Sequence, residues 1–90
     1  MFSINTNNKY RCYYESGALM REVPYKNNKA HGIEKLYHES GALAWETLYM
    51  NGRRHGRERR YNKAGSLIHE NIYRYEEYLW SVASPMENFL

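Results

Sequence analysis

The side chains of this 90-residue chain that are able to do chemistry are four histidines, ten carboxylates, one cysteine and a dense run of arginines. His31, His38, His55 and His69 raise the question of a metal site. Glu22, Glu46 and Glu70 raise that of paired acid and base carboxylates. Arg53, Arg54, Arg57, Arg59 and Arg60 raise that of an anion-binding surface, for a phosphoinositide head group, RNA or an acidic protein. Nucleophilic catalysis finds no constellation: Cys12 is the sole cysteine, the sequence has no aspartate, and Ser16, Ser40 and Ser66 sit beside glycines at turn positions set by the repeat.

Spacing decides most of these questions. His31 and His55 are 24 residues apart, and so are successive members of the Glu22, Glu46 and Glu70 set. The same interval relates Tyr13-Tyr-Glu-Ser-Gly17, Tyr37-His-Glu-Ser-Gly41 and Tyr61-Asn-Lys-Ala-Gly65, then Leu19, Leu43 and Leu67, then Tyr25, Tyr49 and Tyr73. Asn27-Asn28 matches Asn51-Gly52, His31-Gly32 matches His55-Gly56, and Glu34 matches Glu58. A residue that recurs in every repeat is explained by the fold before it is explained by catalysis.

Each unit carries two turn signals. Glu39-Ser40-Gly41 suits a three-residue hairpin loop with a left-handed glycine, and Asn51-Gly52 a two-residue hairpin turn. Two turns per repeat mean two strands per repeat. Between them Leu43, Trp45, Thr47 and Tyr49 face one way and Ala42, Ala44, Glu46 and Leu48 the other. The expected fold is mainly β: an antiparallel β-hairpin repeat array forming a single-layer meander of about six strands. Because the period is even, equivalent residues form columns two strands, or roughly 9.5 Å, apart. His31 and His55 therefore cannot share one zinc, whose bonds to nitrogen are about 2.0–2.1 Å. The expectation is no metal, no cofactor and no catalytic centre.

The pattern Tyr-x-x-x-Gly-x-Leu-x-x-Glu-x-x-Tyr-x-Asn-Gly-x-x-x-Gly resembles the MORN repeat, in the bacterial variant found in YwqK-family antitoxins. The resemblance covers Tyr13 to Tyr73 and implies a hairpin array that associates with proteins, as a scaffold or as the neutralising partner of a toxin, with membrane-lipid contact in distant relatives. It divides one domain, 1–90, into repeat 1 at 13–36, repeat 2 at 37–60, a partial repeat 3 at 61–75 and a cap and tail at 76–90. The third copy departs from the pattern, since Tyr75-Glu76 stands for Asn-Gly and Leu79-Trp80 for His-Gly. Residues 76–84 read as a short helix or a last irregular strand. Tyr75, Tyr78, Leu79 and Val82 at helical spacing favour a two-turn helical cap ending before Pro85.

Some residues exceed what the repeat asks for. Trp45 occupies a slot held by Arg21 and His69 in the other copies, and Ile33 and Leu36 occupy slots of Arg57 and Arg60. Trp45 and the five arginines are thus the candidate interaction surface; the plainer reading of the arginines is a solvated, aggregation-resistant edge. The net charge of +3 hides two opposite patches, Arg53–Arg60 and the acidic stretch from Glu76 onward. Cys12 permits no intrachain disulfide, Met1 to Tyr10 has no apolar core, and no stretch approaches the roughly 18–20 apolar residues of a span, which together suggest a cytoplasmic protein. A sheet of this kind exposes two faces and two edges, so a protein partner or self-association is expected.

Overall fold

Alternating strands and paired turn signals produce one open antiparallel sheet. The computed structural model describes the backbone of residues 2–4 and 8–83 and the side chains of residues 8–81. Its strands are β1 (Phe2–Ile4), β2 (Lys9–Tyr13), β3 (Leu19–Lys26), β4 (Lys29–Ala30), β5 (Gly32–Tyr37), β6 (Leu43–Met50), β7 (Arg53–Tyr61), β8 (Leu67–Arg74) and β9 (Glu77–Ala83). They pair in the order β1-β2-β3-β5-β6-β7-β8-β9, with the two-residue β4 pairing on β3. The mainly β meander is as expected. It holds more strands than six because β1 and β2 pair ahead of the first three-residue loop and another strand follows Arg74.

Both turn types form as their residues dictate. In the three-residue loop the Gly41 N–H donates to the His38 carbonyl at 2.9 Å and the His38 N–H donates to the Ala42 carbonyl at 2.8 Å. The same bonds recur at Tyr14, Gly17 and Ala18 and at Asn62, Gly65 and Ser66. Gly41 lies at φ +99°, where a side chain is strained. In the two-residue turn Asn51 and Gly52 both have positive φ, 51° and 85°, as a type I′ turn requires. One loop is odd and the other even. Bulges reconcile them: the register shifts at Leu36/Tyr37 and Arg60/Tyr61 beside the longer loops, and at Thr47/Tyr49 and Ile72/Tyr73 beside the shorter turns.

The expected helical cap is not there. Glu77–Ala83 is a strand paired along β8, and residues 84–90 of the expected cap and tail lie outside the described residues. Tyr75 and Glu76 take φ +48° and +76°, so an unfavourable pair makes the turn that Asn-Gly makes elsewhere. The reason is tertiary. The Tyr75 N–H donates to Nδ1 of His55 at 3.2 Å, the Glu76 N–H donates to the Arg54 carbonyl at 2.7 Å, and the Tyr75 ring lies 4.4 Å from that of His55. One repeat earlier, Asn51 N–H donates to His31 and Gly52 N–H to Ala30. Each repeat docks its turn on the one before, and helical spacing carries no trace of that.

The molecule measures 44 × 31 × 14 Å, the dimensions of one sheet. Val23, 2% exposed, is the one buried apolar side chain among the described residues; the other buried residues are Glu34, Thr47, Glu58 and Glu70. A single layer has no second layer against which to bury an aliphatic core.

Candidate functional site

Residues directly opposite one another in an antiparallel sheet point to the same side, so the register assigns each candidate residue to a face. Arg11, Glu22, Lys35, Glu46, Arg59 and Glu70 are successive partners across β2, β3, β5, β6, β7 and β8. They form a ladder of alternating charge on one face. Cys12, Arg21, Leu36, Trp45, Arg60 and His69 are the equivalent row on the other. Beside that row run Glu34, Thr47, Glu58 and Asn71.

The arginine cluster is therefore divided by strand alternation. Arg57 and Arg59 lie on the ladder face and Arg54 and Arg60 on the other, while Arg53 sits exposed opposite Met50 at the turn. Four of the five have local partners. Arg59 Nε is 3.0 Å and Arg57 Nε 3.8 Å from Glu70 Oε2. Arg54 stacks 4.3 Å over the Tyr73 ring, donates to the Tyr73 hydroxyl at 3.0 Å and donates through Nε to Glu76 Oε1 at 2.6 Å. Arg60 stacks 4.3 Å over Trp45. The two oppositely charged patches of the sequence meet here, Arg54 against Glu76. The Arg54 backbone N–H bond to the Glu76 carboxylate, aided by its guanidinium, holds that carboxylate below its ordinary value.

The three recurrent glutamates pair as a structural column would. Glu22 accepts from Arg11 Nε at 2.7 Å, Glu70 from Arg59, and Glu46 from the Tyr61 hydroxyl at 2.8 Å. Burial, and then that bond to Glu46, raise the Tyr61 hydroxyl above its ordinary value. Leu19, Leu43 and Leu67 open β3, β6 and β8 just after the turns of Gly17, Gly41 and Gly65. Tyr49 and Tyr73 line the face of Trp45, whereas Tyr25 is exposed near the sheet end. His31 and His55 accept turn N–H groups, His38 Nε2 lies 3.1 Å from the Tyr61 carbonyl and His69 Nε2 3.0 Å from Asn71. Among the described residues no three His, Cys or Glu side chains gather as metal ligands.

Sequence reasoning missed Glu34 and Glu58 as members of the site. They fill one repeat slot, and that recurrence was the available signal, but only the register shows them buried on the Trp45 face. Arg21 Nε donates to Glu34 at 2.6 Å. Burial opposes the Arg21 charge, yet this bond and the Glu34 charge hold the guanidinium above its ordinary value. Glu58 accepts from Thr47 Oγ1 at 3.1 Å and from Asn71 Nδ2 at 2.7 Å. Two shallow clefts lie over these carboxylates. One of about 250 Å³ is lined by Arg21, Glu34, Leu36, Trp45, Thr47 and Glu58; the next, about 140 Å³, by Trp45, Glu58, Arg60, His69 and Asn71. Trp45 and Glu58 border both. Each carboxylate is held by donors of the chain itself, which leaves neither placed as a free acid or base.

Turn-docked hairpins of constant length in a single layer define a β-hairpin repeat protein. Residues 6–27 and 30–51 each match the family model described as a MORN repeat variant. The two matched segments start 24 residues apart, the interval seen in the glycines, leucines and glutamates. The match is to the repeat and does not extend to an antitoxin subgroup. No curated protein and no solved structure matches the chain.

Proposed function

We propose that the chain is a non-catalytic repeat module that binds another protein through the face carrying Trp45, Arg60, Arg54 and Tyr73. The observation that carries this reading is the stacking of Arg60 on Trp45 and Arg54 on Tyr73, both at 4.3 Å, beside open clefts. Tryptophan, tyrosine and arginine dominate the energetics of protein interfaces, and here stacking holds the long arginine side chains before any partner arrives. The repeat itself does not require Trp45, and the repeat match supports an association role over an enzymatic one. The division of the arginines between two faces favours a partner read by shape and stacking over a phosphate backbone, which rewards a continuous basic track.

The test is capture of a partner on the immobilised chain, its identification, and titration of that purified partner against wild type, Trp45→Ala and Arg60→Ala. A hot-spot residue costs about 2 kcal/mol or more on truncation, close to a thirtyfold loss of affinity. A partner bound equally well by all three proteins would refute the assignment of this face.

A further inference from the structure

The opposite face has a symmetry of its own. Its ladder reads Arg11, Glu22, Lys35, Glu46, Arg59, Glu70, in the order β2, β3, β5, β6, β7, β8. The signs alternate and their number is even, so the ladder read backwards is its own complement. A second copy laid face to face about a two-fold axis parallel to the strands, between β5 and β6, sets Arg11 against the partner's Glu70. The same axis sets Glu22 against the partner's Arg59 and Lys35 against the partner's Glu46. An odd number of rungs would have set the middle charge against itself.

Within one chain the outer rungs are already satisfied: Arg11 pairs with Glu22 and Arg59 with Glu70. The middle is different. Lys35 and Glu46 are cross-strand neighbours but form no ion pair among the described residues, and Glu46 has only the Tyr61 hydroxyl. These are the two residues that flank the axis, which would set each against the partner's opposite charge. The rows beside the ladder suit a dry contact. Ile33 lies opposite Leu48 and Ile72 opposite Trp80, with Ile33 48% and Trp80 55% exposed. A hollow of about 310 Å³ lined by Ile33, Glu46, Leu48, Arg57 and Arg59, with Thr47, lies at the same midline. A face of 44 × 31 Å exceeds the roughly 800 Å² per partner of a standard stable interface.

We infer that the chain forms a two-fold homodimer through this ladder face, stacking two sheets about 10 Å apart. The second copy supplies the layer that a lone sheet lacks. This proposal is independent of the Trp45 face, which the dimer leaves outward on both sides.

The test is sedimentation equilibrium of the whole chain with single charge reversals. Lys35→Glu sets two like charges against the partner's Glu46, and Glu46→Lys does so against the partner's Lys35. Each alone should weaken the dimer about tenfold or more. An equimolar mixture of the two variants should restore it, because in the mixed dimer both central pairs are again opposite. Ile33→Ser covers the event that a reversal fails to fold: the side chain is half exposed in one chain, so this variant should keep its melting temperature at high dilution and still dimerise about tenfold more weakly. A wild-type chain that stays monomeric at the highest soluble concentration overturns the proposal. So does a dimer indifferent to all three substitutions, or a folded mixture that fails to re-form it.

Discussion

Glu34 and Glu58 occupy one slot of the repeat and are almost equally buried, yet their replacement by alanine should have very different consequences. Glu58 is the acceptor for two donors: the hydroxyl of Thr47, itself 2% exposed, and the amide of Asn71. Glu58→Ala leaves both unpaired. A buried donor without a partner costs roughly 1–3 kcal/mol, so with Asn71 regaining some water the loss should be about 2–4 kcal/mol. Glu34 serves Arg21, whose side chain is 43% exposed. After Glu34→Ala the guanidinium rehydrates, and the loss should be about 1 kcal/mol or less. Glu58→Gln keeps an acceptor for one donor and should fall between. Urea denaturation followed by the fluorescence of Trp45 and Trp80 measures all three, at one fixed protein concentration so that self-association does not contribute unequally. Equal losses for the two alanine variants, or a larger loss at Glu34, would refute the reasoning, because repeat position would then matter more than the local donors.

Three further outcomes follow from particular geometries. Gly32→Ala should destabilise more than Gly41→Ala. Both positions have positive φ, which costs an alanine about 1–2 kcal/mol, but a Cβ at Gly32 would lie 2.9 Å from the Pro24 ring while nothing lies within 4 Å at Gly41; the ring contact should add roughly 1–3 kcal/mol, read from urea midpoints. Acid should loosen the turn at Tyr75. The Glu76 carboxylate is lowered when folded, so its contribution is complete above the unfolded value of about 4.3 and fades as pH falls through the lower folded value; the Arg54 amide resonance should report this, and Glu76→Gln should abolish it. Tyr61→Phe should lose about 1 kcal/mol through the bond to Glu46, and an unchanged denaturation midpoint would show that water replaces it freely.

Local chemistry made the turns readable and little else at the far end of the chain. Gly41 and Asn51-Gly52 specify their backbone conformations by themselves, and the alternation of Trp45, Thr47 and Tyr49 against Glu46 placed those residues on opposite faces as the register has them. Tyr75-Glu76 specifies nothing of the kind. It turns because His55 and Arg54, about twenty residues earlier, hold its amides and carboxylate, and such a long-range constraint is invisible to a periodicity that favours helix. The first strands were missed for a related reason, since Lys9–Tyr13 earns its place by pairing with β3. The site divides along the same line. The Glu22 column was legible from its 24-residue recurrence, whereas the burial of Glu34 and Glu58 depends on which neighbours fold over them, and the five arginines looked like one patch only while strand alternation was ignored.

The absence of an aliphatic core bears directly on what this sheet is suited to do. With Val23 the one buried apolar side chain among the described residues, cohesion comes from neighbouring strands and from turns docked on the preceding repeat, so stability is assembled locally, pair by pair. Substitutions on the outward side of either face then disturb few neighbours, and each face is free to specialise. One carries cations laid on aromatic rings over buried carboxylates. The other carries a ladder whose alternating signs cancel, which attracts neither polyanions nor polycations strongly and complements best a surface of the same alternation and spacing. The surface certain to have that spacing is another copy of the same sheet.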